Sequence, residues 1–351
     1  MRYLFVLLFG VSVSVASAQD ATVKIVKKND TTLELRHGAD LVASYQHGGT
    51  VKLEKADGTK PLAKPFFYPL IAPNGMPVTR DWPMVRGKAG ETTDHFHQKS
   101  VWFCHGDVVP EGIELKTKSS DKRVKGVDFW AEGKDHGRIV CTKVSEPEQL
   151  TANHAKIGTI NEWRTPDDVT MLVENRTIHF TTLPQGRLIV LDIELLCPIT
   201  SVTFDDTKEG AMGVRVPDEF MLNRKGTEGV VTTSDGKKVQ TPAKDNLPMW
   251  GHFADWHDYV GTVEGKTAGL AVFDDAKNKY RAAWHTRAYG LMAANPFARE
   301  ASGFPSMKDQ TELVKLKKGE TLKLRYGIYA HTGTTTEGKV AEAYKAFGEM
   351  K

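Results

Sequence analysis

Alternation of apolar and polar residues with a period of two, broken by short turn signals, most restricts what this chain can fold into. Ile189, Leu191, Ile193 and Leu195 alternate with Val190, Asp192 and Glu194, and Leu322, Leu324 and Tyr326 alternate with Lys323 and Arg325. Side chains two apart on a strand share a face, so these runs are strands with one buried side. Leu183-Pro184-Gln185-Gly186, Ser234-Asp235-Gly236-Lys237 and Lys317-Lys318-Gly319-Glu320 read as hairpin loops between strands. Further strand-like runs are Thr22 to Lys27, Thr32 to Arg36, Leu41 to Gln46, Arg138 to Val144, Val169 to Thr182, Val230 to Val239, Tyr259 to Val263 and Gly269 to Phe273. Many short strands with regular turns predict a mainly β chain, a large antiparallel β-sandwich and not a doubly wound sheet. One helix is predicted, near the C-terminus, where Val340, Tyr344 and Phe347 fall at i, i+4 and i+7. It is expected to cover an edge or an end of the sandwich. Glu111 to Lys125, rich in Lys, Ser and Asp, reads as a surface insertion loop.

The first residues are of a different kind. Arg2 supplies a positive start, Tyr3 to Val15 carry no charge, and Ala16-Ser17-Ala18 closes the segment. That is the pattern of a cleavable signal peptide over residues 1–18, and the apolar run is too short for a membrane span. The mature protein is therefore expected in the periplasm or outside the cell, without a membrane span. Cleavage removes one of 47 basic residues against 44 acidic ones, a balance that makes no case for nucleic acid or an anionic membrane as partner. Cys104, Cys141 and Cys197 are too few and too scattered for a metal cluster, and read as small buried residues within strands.

Residues able to do chemistry are concentrated in three stretches. The first holds His95, His97, Trp102, His105, Asp107, Asp128, Trp130 and Glu132. If Asp94 to Val101 is extended, His95 and His97 point to one side and could relay a proton or bind a metal. A pair of surface or core histidines is the more ordinary reading of such spacing; the nearby Trp and carboxylates favour a site. The second stretch contains Trp250, His252, Asp255, Trp256 and His257. The third runs Trp284-His285-Thr286-Arg287-Ala288-Tyr289, followed by Asn295-Pro296-Phe297. Alternation there sets His285, Arg287 and Tyr289 on one face as a polar stripe, against Trp284, Thr286 and Ala288 on the other. Lys208-Glu209-Gly210, with Arg215 after it, places opposite charges at a strand end.

These segments resemble the PmoA-like family, labelled methane oxygenase PmoA, of secreted bacterial proteins. The resemblance is carried by Asp94-His95-Phe96-His97-Gln98-Lys99-Ser100-Val101-Trp102-Phe103, Asp128-Phe129-Trp130-Ala131-Glu132, Lys208-Glu209-Gly210-Ala211-Met212-Gly213-Val214-Arg215 and Trp284-His285-Thr286-Arg287 through Asn295-Pro296-Phe297. It implies one β-sandwich domain over residues 19–351, of the galactose-mutarotase-like supersandwich type. The family's first motif is usually Asp-His-Pro-His-His-Arg-Gly. Phe96, Gln98, Lys99 and Ser100 depart from it, so no role needing the third imidazole or a bidentate guanidinium carries over.

The leading expectation is a carbohydrate-active protein, a lyase, epimerase or hydrolase, with a small sugar or oligosaccharide as its ligand. His95, His97, His285 and Glu209 are then the acid/base candidates. Lys208, Arg215 and Arg287 would hold anionic groups, Trp102 and Trp130 would stack on sugar rings, and Asp128, Glu132 and Asn295 would complete the binding set. The alternative is a metal-dependent oxidoreductase holding a divalent ion through His95, His97 and a third ligand, His105 first and Asp128 or His285 otherwise. A non-catalytic carbohydrate-binding module is the third reading.

Overall fold

The computed structural model describes residues 22–52, 59–85, 90–245 and 247–350, and the leader expected at residues 1–18 lies outside them. Two large antiparallel sheets face each other. The first has eight strands in the spatial order Val23–Asn29, Thr32–His37, Asp40–Gln46, Phe66–Leu70, Val101–His105, Gly210–Arg215, Leu291–Asn295 and Ala283–Trp284. The second has ten, its centre formed by Thr170–Leu183, Gly186–Leu196, Thr321–Thr332, Lys266–Asp274 and Trp256–Val263. The fold is the large antiparallel sandwich with a C-terminal helix that the alternation predicts.

Side chains from both sheets meet between them. Phe103 lies edge-on to Trp163, with ring centroids 5.9 Å apart, and Trp284 stacks on His257 at 4.2 Å. A buried polar cluster crosses the same space. Arg176 Nε donates to Glu174 Oε1 at 2.5 Å and its Nη1 to the Tyr45 hydroxyl at 3.0 Å, while Trp163 Nε1 donates to Glu174 Oε2 at 2.7 Å.

Two of the three expected hairpins form, Leu183 pairing with Gly186 and Thr232 with Lys238 across their turns. The Lys317–Glu320 turn is not a hairpin. It joins Val314–Leu316, which pairs with Val202–Phe204, to Thr321–Thr332, which pairs with Gly186–Leu196. The turn therefore carries the chain from a small three-stranded sheet into the large one, and turn chemistry alone does not reveal which partners its flanking strands take.

The helix, Val340–Glu349, lies on the outer face of the ten-stranded sheet and not at an edge or end. Val340, Ala343 and Phe347 pack on Leu188, Val190, Ala271, Phe273 and Tyr329, which come from strands at the sheet's centre. Leu188 and Val190 supply the apolar outer positions that receive it; farther along the same strand Asp192 and Glu194 face solvent and pair with Arg325 and Lys323. Phe347→Leu, which stays apolar but loses the ring and its contact to Phe273, is expected to lower stability by about 1 kcal/mol in urea unfolding.

His331 and Asp258 form a wholly buried pair 3.0 Å apart, reaching each other across the intervening strand at Gly269. A Cβ at Gly269 would sit 2.4 Å from His331 Nε2, so only glycine leaves the gap. Burial alone would lower the His331 value, but Asp258 outweighs it and the net shift is upward. A histidine whose folded value is raised contributes stability that is full below its ordinary value and is lost as pH rises through the folded one. The urea-midpoint difference between wild type and His331→Gln should therefore shrink with rising pH across that window; a pH-independent difference would mean a neutral imidazole.

Candidate functional site

The site builds on the face of the eight-stranded sheet that points away from the other sheet. Pairing sets Gly213 opposite Trp102 on one side and Ala293 on the other. A Cβ on Gly213 would fall 2.6 Å from the Trp102 ring, so the small residue lets the indole lie across the strand. Past the short strand Ala283–Trp284 the alternation persists, with His285 and Ala293 exchanging backbone hydrogen bonds at 2.8 and 3.2 Å and Arg287 N donating to Leu291 O at 2.9 Å. Trp284 and Thr286 turn inward to His257, and His285, Arg287 and Tyr289 take the opposite face.

Residues 91–100 form a loop with a turn at Phe96 and His97, not the strand that would align the two histidines. The turn still brings the imidazoles together, edge to face with centroids 5.7 Å apart. Two buried arginines hold the loop. Arg80 donates to Asp94 Oδ1 at 2.6 Å and to Asp94 O at 2.9 Å, and Arg215 donates to Asp94 Oδ1 at 3.1 Å and to Gln98 Oε1 at 2.6 Å. Burial would raise the Asp94 carboxyl, but the His95 hydrogen bond and the charges of Arg215 and Arg80 hold it well below the usual carboxylate range. The ionised carboxylate accepts from His95 Nδ1, and the His95 side chain is 41% exposed. His95 stacks on Tyr289 at 5.3 Å and 7°, and the Arg215 guanidinium lies 4.6 Å from the Tyr289 ring centre.

His285 is almost wholly buried, and its Nδ1 lies 3.0 Å from the Lys208 carbonyl oxygen. A carbonyl only accepts, so Nδ1 carries the proton and Nε2 the lone pair. Burial, with Lys208 and His95 adding to it, pulls the imidazole down to about 3, and Nε2 has no hydrogen-bond partner among the described residues. Burial raises the Glu209 carboxyl, with the charge of Asp128 adding to it, against the opposing charges of Lys208, His95 and Arg287. An unprotonated base and a raised carboxyl thus share the neighbourhood of Lys208 and His95.

Glu209 and Lys208 also line a cleft of about 640 Å³ with Asp107, Arg123, Asp128 and Ser302. The 111–125 segment supplies one wall. It is anchored where Asp107 accepts from the amides of Lys125 and Gly126 at 2.8 and 2.7 Å. Asp128 spends one carboxylate oxygen on the amides of Trp130 and Ala131, and burial raises its value.

Several expected roles do not fit these positions. Trp102 and Trp130 are 1% and 2% exposed and pack on each other at 5.1 Å, so neither offers a face to a sugar ring. Glu132 is clamped by Lys64 and Lys99; burial would raise it, but the two ammonium groups outweigh that and hold it at about 2. It is a structural counter-ion and not a proton donor near neutral pH. Asn295 uses Oδ1 on the amides of Phe297 and Ala298 and Nδ2 on Thr207 O at 2.9 Å, so it pins the strand end leading to Glu209, and it is fully buried and presents no face to a ligand. Arg287 pairs with Asp245. His97 is lowered to about 3 by burial, with Lys64 and His95 adding to it.

The metal set His95, His97 and His105 is not assembled. His105 turns inward, its Nε2 2.8 Å from Asp205 O, and among the described residues no three His, Cys, Asp or Glu side chains are grouped to hold an ion. Arg80, Lys64 and Asp245 escaped sequence reasoning because each lies outside the motifs and meets its partner only through the fold. The tyrosine of the His285 stripe was visible, but its stacking on His95 was not. Among the described residues no helix is long and apolar enough to cross a membrane.

No protein of curated function matches the sequence. A solved structure of a galactose mutarotase related enzyme from Lactobacillus acidophilus overlaps 89% of this chain and 98% of its own, at 9% identity and a TM-score of 0.28. So loose an overlay assigns neither chemistry nor ligand. The model of the family of unknown function DUF6807 matches residues 32–345, nearly the whole described chain, and the protein belongs to that family.

Proposed function

We propose that this chain is an exported carbohydrate-active protein that moves a proton on a sugar, in the manner of an epimerase or lyase. The observation carrying this reading is the buried, unprotonated and unpartnered Nε2 of His285, whose Nδ1 is held by the carbonyl of Lys208, the residue before Glu209, and the raised carboxyl of Glu209 itself. His285 takes a proton from the carbon next to a carbonyl or from an anomeric hydroxyl, and Glu209 returns one to the product. Lys208, which lines the cleft, stabilises the negative charge that develops on oxygen. His95, with Nδ1 on Asp94 and its side chain exposed, orients a hydroxyl at the mouth, and the cleft walled by Arg123 and Asp128 receives the rest of the molecule.

The test is proton NMR in deuterium oxide with reducing sugars and acidic oligosaccharides. Deuterium entering a C–H position, faster anomeric interconversion or an unsaturated product is expected for at least one of them. Binding without any of these changes would make the protein a carbohydrate-binding module, and neither binding nor turnover would remove the carbohydrate reading.

A further inference from the structure

A second cleft, of about 510 Å³, opens on the other side of the segment that bounds the first. Ala301 and Ser302 face the first cleft, while Arg299, Ser306 and Met307 line the second. Asp206, which lines the first, accepts from the Arg299 amide at 2.7 Å, so the two clefts share one wall. The second is floored by aromatic surface. Phe253 is 45% exposed, and the half-buried Tyr280 ring has Lys279 Nζ 5.2 Å and the Arg299 guanidinium carbon 5.7 Å from its centre.

The charges are unequal. Lys279, Arg281 and Arg299 line this cleft against one carboxylate, Glu312. Arg281 is committed to Asp255 at 2.7 Å and Asp274 at 3.1 Å. Arg299 instead donates to the carbonyls of Glu312 and Pro296 at 2.7 and 3.1 Å, and neither it nor Lys279 has a carboxylate within ion-pair distance among the described residues. Two cations held over an aromatic ring, with the Ser306 hydroxyl and the Gln310 amide at the edge, match a ring that is apolar on its face, hydroxylated at its rim and negatively charged.

We propose that this cleft is a second subsite, taking an acidic sugar unit of an oligosaccharide whose reacting unit lies at His285 and Glu209. The inference rests on the carbohydrate reading of the first site. It makes the natural ligand a chain of uronic-acid type long enough to cross the wall at Ala301 and Ser302, not a single sugar.

Calorimetric titration with a uronic-acid tetrasaccharide, a neutral tetrasaccharide and the uronic-acid monosaccharide tests it, using wild type, Lys279→Glu, Tyr280→Ala and His285→Gln. Lys279 is exposed, so its variant leaves the fold intact should Tyr280→Ala disturb it. Both cleft substitutions are expected to weaken the acidic tetrasaccharide about tenfold or more and to leave the monosaccharide unchanged. Wild type should prefer the acidic tetrasaccharide to the neutral one. Unchanged tetrasaccharide affinity in Lys279→Glu, equal binding of the neutral chain, or no binding by wild type overturns the subsite. Tetrasaccharide binding that depends on Lys279 without any turnover retains the subsite and rejects the acid/base assignment of His285 and Glu209.

Discussion

His285→Gln is expected to reduce turnover by roughly 10²–10⁴-fold with little change in ligand affinity, the range by which a positioned general base accelerates proton transfer. Glutamine approximates the volume of the imidazole and can still donate to the Lys208 carbonyl, but its amide cannot accept a proton at ordinary pH. An unchanged thermal midpoint beside lost turnover would separate chemistry from folding. Glu209→Gln gives the complementary result. The Glu209 carboxyl is raised, so the wild-type rate should fall as pH climbs through that value and the acid form is lost, whereas His285, held near 3, stays an unprotonated base throughout the neutral range. Glu209→Gln should lower the rate and flatten the high-pH limb. A limb that persists in Glu209→Gln would assign the acid to another group, with His95 the next to test.

The largest stability loss is expected for Arg176→Ala, at about 3–5 kcal/mol, because the substitution strands the Glu174 carboxylate between the sheets. Glu174 keeps only Trp163 Nε1 at 2.7 Å and Asn161 Nδ2 at 3.3 Å, neither of which carries charge. The double variant Glu174→Gln/Arg176→Met should recover much of the loss, since it removes both charges and retains an acceptor for Trp163. Urea unfolding of the two variants beside wild type measures this. A double variant no more stable than Arg176→Ala would mean that packing by the arginine, and not the stranded charge, accounts for the loss.

The strands that sequence reading found include those with one wet face, such as Val23–Asn29, and short apolar runs such as Gly269 to Phe273, which is buried throughout. Ile189 to Leu195 shows its inner positions because Asp192 and Glu194 stand outside, paired with Arg325 and Lys323. His154–Arg164 alternates as regularly in the structure, but its inward positions include Thr159 and Asn161, so hydropathy hides it. The strands under the site, Val101–His105, Gly210–Arg215 and Leu291–Asn295, are buried at every position. Covered on both faces, they show no period of two.

The candidate site divides in the same way. Its histidine, tryptophan and carboxylate clusters were visible as composition, and the stripe of His285, Arg287 and Tyr289 follows from local geometry alone. The clamp on Asp94 was not visible, since Arg80 and Arg215 lie on opposite sides of it in the chain and meet only because the loop carrying Arg80 docks on the end of the strand Gly210–Arg215, Arg80 N donating to Arg215 O at 3.0 Å. Nor was the difference between Glu209 and Glu132. The two carboxyls are equivalent as letters, but burial leaves Glu209 raised while Lys64 and Lys99 hold Glu132 ionised. Sequence by itself therefore determined the β architecture, the terminal helix and the short stretches that carry chemistry, because periodicity and turn preference act between near neighbours. Tertiary structure alone decided which tryptophans are core, which carboxyl is shifted upward and which is held ionised, and which imidazole nitrogen bears the lone pair, because desolvation and charge depend on groups that folding brings together from distant parts of the chain.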